Sequence, residues 1–281
     1  MKPTFIIDQT SVRTPYYNLA LEEAISLKLV SEGFIGGLRF WENPRSIVIG
    51  LSEKPERTVG PFYESFLQNR KEQPFPKKPI DSETVYIARR ASGGGTVVHE
   101  PGWNLNFSIF VSLKEKPELF PVGNSYKTLL GLVSNALRNQ NIQSNPRGKS
   151  DLAVGQETEM QTWKKISGNA QFRKRDCIVQ HGTLILDPRL IELVGSYLPH
   201  PPEEPDYRKG RDHKEFVTSL PPEFKVGKFK QDLALLFADY LGVEKIGTGK
   251  EFLPFLRTVF LDADRLFKEK YGTKRFLTGE E

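Results

Sequence analysis

With 281 residues, 38% of them hydrophobic, the chain is long enough to bury a substantial core, and its composition is not that of a disordered polypeptide. A formal charge of +5, from 40 basic and 35 acidic residues, suits a nucleotide or an acidic protein partner but is too slight and scattered to mark nucleic-acid binding. Cys177 is the single cysteine, which excludes an intramolecular disulfide and a cysteine-rich metal site, and no apolar run approaches the ~20 residues of a membrane span, so the expected setting is the cytoplasm.

The start of the chain meets a charge at Asp8, too early for the apolar core of a signal peptide, and residues 5–7 read as a short strand. Residues 17–30 read as a helix, with Leu21, Ala24, Ile25 and Lys28 at helical spacing and Glu22 and Glu23 on its outer side. Two apolar segments, 38–41 and 46–51, are separated by Glu42-Asn43-Pro44-Arg45, whose composition predicts a turn between adjacent strands. Residues 60–82, rich in amides, charges and then proline, read as an exposed insertion. A strand at 84–88 follows; 105–111 alternates like a half-buried strand, and 125–137 carries Leu129, Leu130, Val133 and Leu137 on one helical face.

Short strands at 151–154, 165–167 and 178–186 precede helices at 188–198, 228–241 and 251–271. Between the first two helices lie a proline-rich stretch, 199–205, and the basic run Tyr207-Arg208-Lys209-Gly210-Arg211-Asp212-His213-Lys214. The basic run reads as a solvated loop, in a position to cap a site or meet an acidic protein. The order of elements implies a mixed α/β (α+β) fold, a mixed sheet flanked by helices.

Two clusters carry chemistry. In Arg89-Arg90-Ala91-Ser92-Gly93-Gly94-Gly95-Thr96-Val97-Val98-His99 a strand runs into a glycine loop, whose backbone freedom lets successive N–H groups converge on a phosphate or carboxylate. Such a loop alone is often only a tight turn. The second cluster is Lys164-Lys165-Ile166-Ser167-Gly168-Asn169-Ala170-Gln171, followed by Gln180-His181-Gly182-Thr183-Leu184. In a strand Lys164 and Lys165 face opposite sides, so only one of them enters a pocket. His200 and His213 stand alone, and no zinc-ligand spacing exists.

Together the motifs resemble the lipoate-protein ligase and octanoyltransferase family, of the biotin/lipoate protein ligase catalytic-domain superfamily, from about the first helix to Asp187. The resemblance implies one catalytic domain over residues 1–281, mostly helical beyond 188, without the full accessory domain of many self-sufficient ligases. It implies that ATP with Mg²⁺ activates lipoate or octanoate as an acyl-adenylate, with no bound redox cofactor. The acyl group then passes to a lysine of acidic lipoyl-domain acceptors, the 2-oxoacid dehydrogenase E2 subunits and the glycine cleavage H protein. A separate accessory-domain protein or an acyl carrier protein is a further implied partner; nucleic acid and membrane are not.

By motif register the resemblance makes Lys165 the catalytic cation. It places Arg90, Ser92, Gly93, Gly94, Gly95 and His99 around the acyl-adenylate, together with Ser167, Gly168, Ala170, His181, Gly182 and Thr183. Asn104 matches a family asparagine only if Trp103 counts as a one-residue insertion. Asp151 follows Ser150 where the family has asparagine, and is expected to hold Mg²⁺ or orient the attacking lysine, although an aspartate opening a strand is commonly a turn residue.

Family octanoyltransferases take the acyl group from a carrier protein without ATP, through a cysteine thiolate. Cys177 stands at neither place where the resemblance puts that nucleophile and reads as a strand-filling residue, which favours the ligase. The ATP-independent transferase, drawing on acyl carrier protein or a lipoylated donor, is the alternative. A biotin ligase has arginine between its loop glycines, whereas Gly93-Gly94-Gly95 is unbroken here. A non-catalytic acyl-binding module is the reading from another class.

Overall fold

The computed structural model describes residues 3–9, 12–69, 75–156, 162–198, 204–248 and 252–280. Seven strands, numbered in chain order, lie side by side as β1 (Thr4–Asp8), β2 (Gly36–Trp41), β6 (Asn104–Ser112), β10 (Cys177–Ile185), β9 (Lys164–Lys174), β8 (Asp151–Val154) and β7 (Ser144–Arg147). Within this sheet, among the described residues, only β1 and β2 run parallel. A second sheet has three strands, β3 (Ser46–Ile49) between β4 (Tyr86–Arg89) and β5 (Val97–His99). The mixed sheet flanked by helices is the fold class the element order implied.

Segments 38–41 and 46–49 are not neighbours, contrary to the expected pairing. Both edges of β2 are already filled, by β1 and β6, so residues 42–45 carry the chain across to the small sheet. The crossing is pinned by Asn18, whose amide donates to the Glu42 carbonyl (3.0 Å) and to Asn43 Oδ1 (2.8 Å).

Strand alternation divides the core. On β6, Leu105, Phe107, Ile109 and Val111 pack with Leu129 and Val133 of α4 (Val122–Arg138) and with Phe229 and Phe237 of α7 (Val226–Leu241). Phe110, on the opposite face, joins α1 (Pro15–Lys28), α8 (Leu253–Leu266) and the small sheet. Asn104, Asn106 and Ser108 share that face and are buried with it, so β6 is wholly buried rather than half-exposed.

The helix expected at 17–30 forms as α1, opening on Pro15, but Glu22 and Glu23 are buried rather than outward. The outer side is covered by α8 and the π-turn Phe267–Tyr271 that continues it. Glu23 there accepts from Lys270 Nζ (2.6 Å) and the Tyr271 hydroxyl.

Part of the expected insertion is also core. After α2 (Pro55–Thr58), α3 (Pro61–Asn69) buries Tyr63 and Phe66, and Phe75 meets Tyr16 edge-on with ring centroids 4.6 Å apart. Residues 70–74 of that stretch, residues 199–203 with His200, and residue 251 lie outside the described residues.

The basic run is not a solvated loop. After α5 (Arg189–Tyr197), a strap from Glu204 to Thr218, with α6 (His213–Phe216) inside it, lies along the end of β9. Tyr207, Arg208 and Phe216 are buried. Arg211 donates to the carbonyls of Trp163 (3.0 Å) and Tyr207 (2.8 Å), and Thr218 N–H to the Lys165 carbonyl (2.9 Å). The Arg211 donors go to carbonyls and the Tyr207 and Phe216 rings to each other, so the run docks despite its charge.

Candidate active site

The glycine loop joins β4 to β5 and is built around Arg90. That side chain is 6% exposed, and its guanidinium donates to Ser92 Oγ (2.9 Å) and to the carbonyls of Val48 (3.1 Å), Gly93 (2.7 Å) and Gly95 (2.8 Å). Burial pulls its pKa down to about 10, so it keeps its charge at neutral pH. The Arg90 donors are therefore taken up by the loop itself and by Val48 rather than held out to an acyl-adenylate.

This inward grip has an outward consequence. A trans peptide sets its C=O and N–H in opposite directions. With the Gly93 and Gly95 carbonyls turned to Arg90, the N–H groups of Gly94 and Thr96 point away from its guanidinium, at the exposed apex formed by Gly93, Gly94 and Gly95. Gly94 has φ +85°, which favours glycine, and a Cβ on Gly50 would lie 2.0 Å from the Gly94 carbonyl oxygen.

Beneath the loop runs a buried relay. Arg90 gives Ser92 Oγ one hydrogen bond; Ser92 Oγ lies 2.7 Å from His181 Nε2, and His181 Nδ1 lies 2.7 Å from Glu22 Oε2. Ser108 Oγ donates to Glu22 Oε1 (2.5 Å) and accepts from Trp41 Nε1 (3.0 Å). Burial works to raise the Glu22 pKa, but the His181 imidazole and the Ser108 hydroxyl hold it below the usual carboxylate value. The ionised Glu22 carboxylate accepts from His181 Nδ1–H and so orients the ring, setting Nε2 against the Ser92 hydroxyl.

His99 is a second pin. Burial, reinforced by Arg90 and His181, drives its pKa down to about 3, so it is neutral. Nδ1 accepts from Asn43 Nδ2 (2.9 Å), and Nε2–H donates to Thr183 Oγ1 (3.0 Å), which donates to Asn106 Oδ1 (2.8 Å). Asn104 accepts from Glu100 N–H (2.8 Å) and donates to Asn106 (3.2 Å), closing the turn before β6.

The lysine strand meets this assembly on one face of the large sheet. His181 pairs with Ala170 and Thr183 with Gly168 across β10 and β9, and paired side chains share a face. A Cβ on Gly94 would touch the Ala170 methyl at 3.9 Å. Gly182 points the other way, where a Cβ would meet Asn169 Oδ1 at 1.9 Å. Asn169 in turn donates to the Ser150 carbonyl (2.9 Å), and Ser167 is fully buried.

Lys165 reaches this face through a bulge. Leu152 and Ala153 of β8 pair with Ser167 and Lys165, which leaves Ile166 as the extra residue and resets the alternation. Lys165 Nζ then sits 2.7 Å from Asp151 Oδ1, over Gly168, where a Cβ would be 3.1 Å from that nitrogen. The ammonium is thus folded back along β9 toward the glycine loop. Tyr207 Oη donates to the other carboxylate oxygen, Asp151 Oδ2 (2.9 Å); burial first, then that carboxylate, push the phenol far up, so it stays protonated.

Both oxygens of Asp151 are thus engaged, and among the described residues no three His, Cys, Asp or Glu side chains cluster to hold a metal ion. The donor set at Asp151 does not fit a resident Mg²⁺. Cys177 is fully buried at the far end of β10, where burial pushes its thiol well up, against any role as a thiolate nucleophile. Glu22, Ser108, Asn106, Asn43, Gly50 and Tyr207 are site residues that the motifs did not disclose. The signal for two of them, Asn106 and Ser108, was their polar alternation with Asn104 within an otherwise apolar strand.

The chain belongs to the lipoyl protein ligase A/B catalytic domain family, whose model matches residues 14–238. It is 31% identical over 194 residues to a lipoate-protein ligase A of Psychrobacter cryohalolentis, covering 69% of this chain and 47% of that protein. The chain spans about half the length of the curated relatives it matches. In fold it is similar to a bi-partite lipoate protein ligase of Thermoplasma acidophilum (TM-score 0.71, 21% identity, 99% of this chain and 97% of that one). It is also similar to a lipoate-protein ligase A bound with ATP (TM-score 0.64, 20% identity, 99% of each chain). Among the described residues no helix is long and apolar enough to cross a membrane.

Proposed function

We propose that this chain is a lipoate-protein ligase: it activates lipoate or octanoate with ATP as an acyl-adenylate and transfers the acyl group to a lysine of a lipoyl-domain protein. The observation that carries the reading is that Lys165 Nζ over Gly168 and the glycine loop at Gly94 beside Ala170 meet on one sheet face. A carboxylate and an α-phosphate are the anions such a pair accommodates.

In the first step a carboxylate oxygen attacks the α-phosphorus and the bond to pyrophosphate breaks. Lys165 offsets charge on the acyl and α-phosphate oxygens, and the loop amides hold the anion with no reorganisation at the moment of reaction. In the second step the acceptor amine attacks the acyl carbonyl, AMP leaves, and the amine sheds a proton. Since Asp151 is engaged with Lys165, Mg²⁺ belongs with the triphosphate of its substrate ATP, where it offsets charge.

Further parts of the reading rest on the relatives. Lipoyl domains of E2 and H-protein type are the acceptors we assign, in the cytoplasm. Residues 1–281 are read as one catalytic domain, with the bi-partite lipoate protein ligase of Thermoplasma acidophilum as the precedent in fold. The buried thiol of Cys177 argues against the carrier-protein route.

The test is to mix the purified protein with an apo lipoyl domain and compare lipoate plus Mg-ATP against octanoyl carrier protein, reading acceptor mass and pyrophosphate. Only the ATP arm modifies the acceptor, and Lys165→Ala lowers its rate at least about 100-fold, the scale of a lost transition-state charge contact. Modification by the carrier-protein arm alone selects the transferase instead. Unchanged transfer in Lys165→Ala overturns the assignment of that residue.

A further inference from the structure

We propose that Tyr207 is a positioning residue for Lys165, acting through Asp151. The inference rests on the ligase reading above for its kinetic arm and on geometry alone for its structural one.

A lysine ammonium on a flexible four-carbon stem does not hold one position unaided. Lys165 is placed by Asp151 Oδ1 at 2.7 Å, and Asp151 is 7% exposed. A carboxylate on a strand still has a free torsion, and a single ion pair leaves that rotation open. The second oxygen, Oδ2, is tied by the Tyr207 hydroxyl at 2.9 Å, which fixes the carboxylate plane and hence the direction from which the ammonium is held.

Tyr207 is itself anchored. It is 5% exposed, its ring lies against Phe216 with centroids 4.9 Å apart, and its carbonyl accepts from Arg211 (2.8 Å). The strap that carries it also reaches the backbone of the same lysine, where Thr218 N–H donates to the Lys165 carbonyl (2.9 Å) and Val217 bridges Lys165 in parallel. One segment, more than forty positions beyond Lys165 in the chain, thus constrains both ends of that residue. The third group at this point, Gly168, contributes space: any side chain there would press on the Lys165 Cε and Nζ.

Tyr207→Phe removes the hydroxyl and keeps the ring on Phe216, so it separates positioning from packing. In the ligase assay it is expected to lower kcat for pyrophosphate release about tenfold while KM for lipoate and for ATP stays within about twofold, the pattern of an interaction felt in the transition state. In an Asp151→Asn background the same change is expected to add less than about twofold, because residues in one network are not additive. A Tyr207→Phe protein with unchanged kcat, or one that keeps its full effect in the Asp151→Asn background, overturns the proposal.

Hydrogen exchange of the Thr218 amide supplies the readout that needs no activity. Faster exchange in Tyr207→Phe than in the parent chain sustains the anchoring, and equal exchange overturns it. If the parent chain releases no pyrophosphate with any carboxylic acid, the ligase reading falls and this exchange measurement alone decides the role of Tyr207.

Discussion

Glu22 is 1% exposed and still ionised, which ties the glycine loop to the first helix through His181 and Ser92. Because its folded pKa lies below the usual 4.5, its contribution to stability is present above about pH 4.5 and is lost as the pH falls through the folded value. Glu22→Gln is expected to cost about 3 kcal/mol at pH 7, the scale of breaking a buried pair. The cost shrinks towards pH 4; urea midpoints at the two pH values check it, and an equal loss at both contradicts the ionised assignment. Cys177→Ser tests a second buried titratable group. It places a hydroxyl in an apolar strand position and is expected to cost about 1–3 kcal/mol while leaving acyl transfer within about twofold. Acceptor mass and thermal melting report both.

At the scale of elements, the glycine loop is held from below by β3 and from behind by the last helix, α9 (Lys274–Thr278). Arg89 donates to the carbonyls of Gly50 (3.1 Å), Leu51 (2.7 Å) and Glu53 (2.8 Å), and its Nε to the Leu277 carbonyl (3.0 Å). Leu51 N–H in turn donates to the Ser92 carbonyl (2.9 Å). Gly50→Ala would put a methyl against the Gly94 carbonyl, and since both partners are backbone the loop must move. Pyrophosphate release is expected to fall more than about tenfold with Tm changed by only a few degrees, because the displaced anion cradle matters more to catalysis than to the core. An unchanged rate would show that the loop does not touch the reacting groups.

The relation of sequence to structure differs among these elements. The glycine loop and the lysine strand were legible as motifs, and α4 and α7 from their periodicity. The separation of β2 from β3 was not, because nothing local in Glu42-Asn43-Pro44-Arg45 records that β2 already has a neighbour on each edge. Burial of the basic strap was illegible for a similar reason. The Arg211 guanidinium docks where a carbonyl awaits it, and that carbonyl belongs to Trp163, far back in the chain.

At the scale of the whole molecule, the basic bias of +5 over 281 residues bears on association rather than on fold. If the acceptor is an acidic lipoyl domain, raising salt from about 0.05 to about 0.5 M is expected to lower kcat/KM for the acceptor severalfold, since exposed charges are screened within about 10 Å or less. Pyrophosphate release measured without acceptor should change much less. Equal salt sensitivity of both steps would place the basic surface at the nucleotide instead.

The chain by itself determined most of the strands and long helices and the glycine loop, which follow from residue spacing and backbone freedom and are local; the choice of Lys165 over Lys164 and the reading of Cys177 came from the family resemblance of the motifs. Tertiary structure alone decided that Arg90 spends its donors on the loop, that Glu22 and Ser108 complete the relay, and that the bulge at Ile166 brings Lys165 onto the face of Asp151 and Gly168. A buried charge or a shifted strand register is fixed by partners distant in sequence, so neither is written in the pattern of its neighbours.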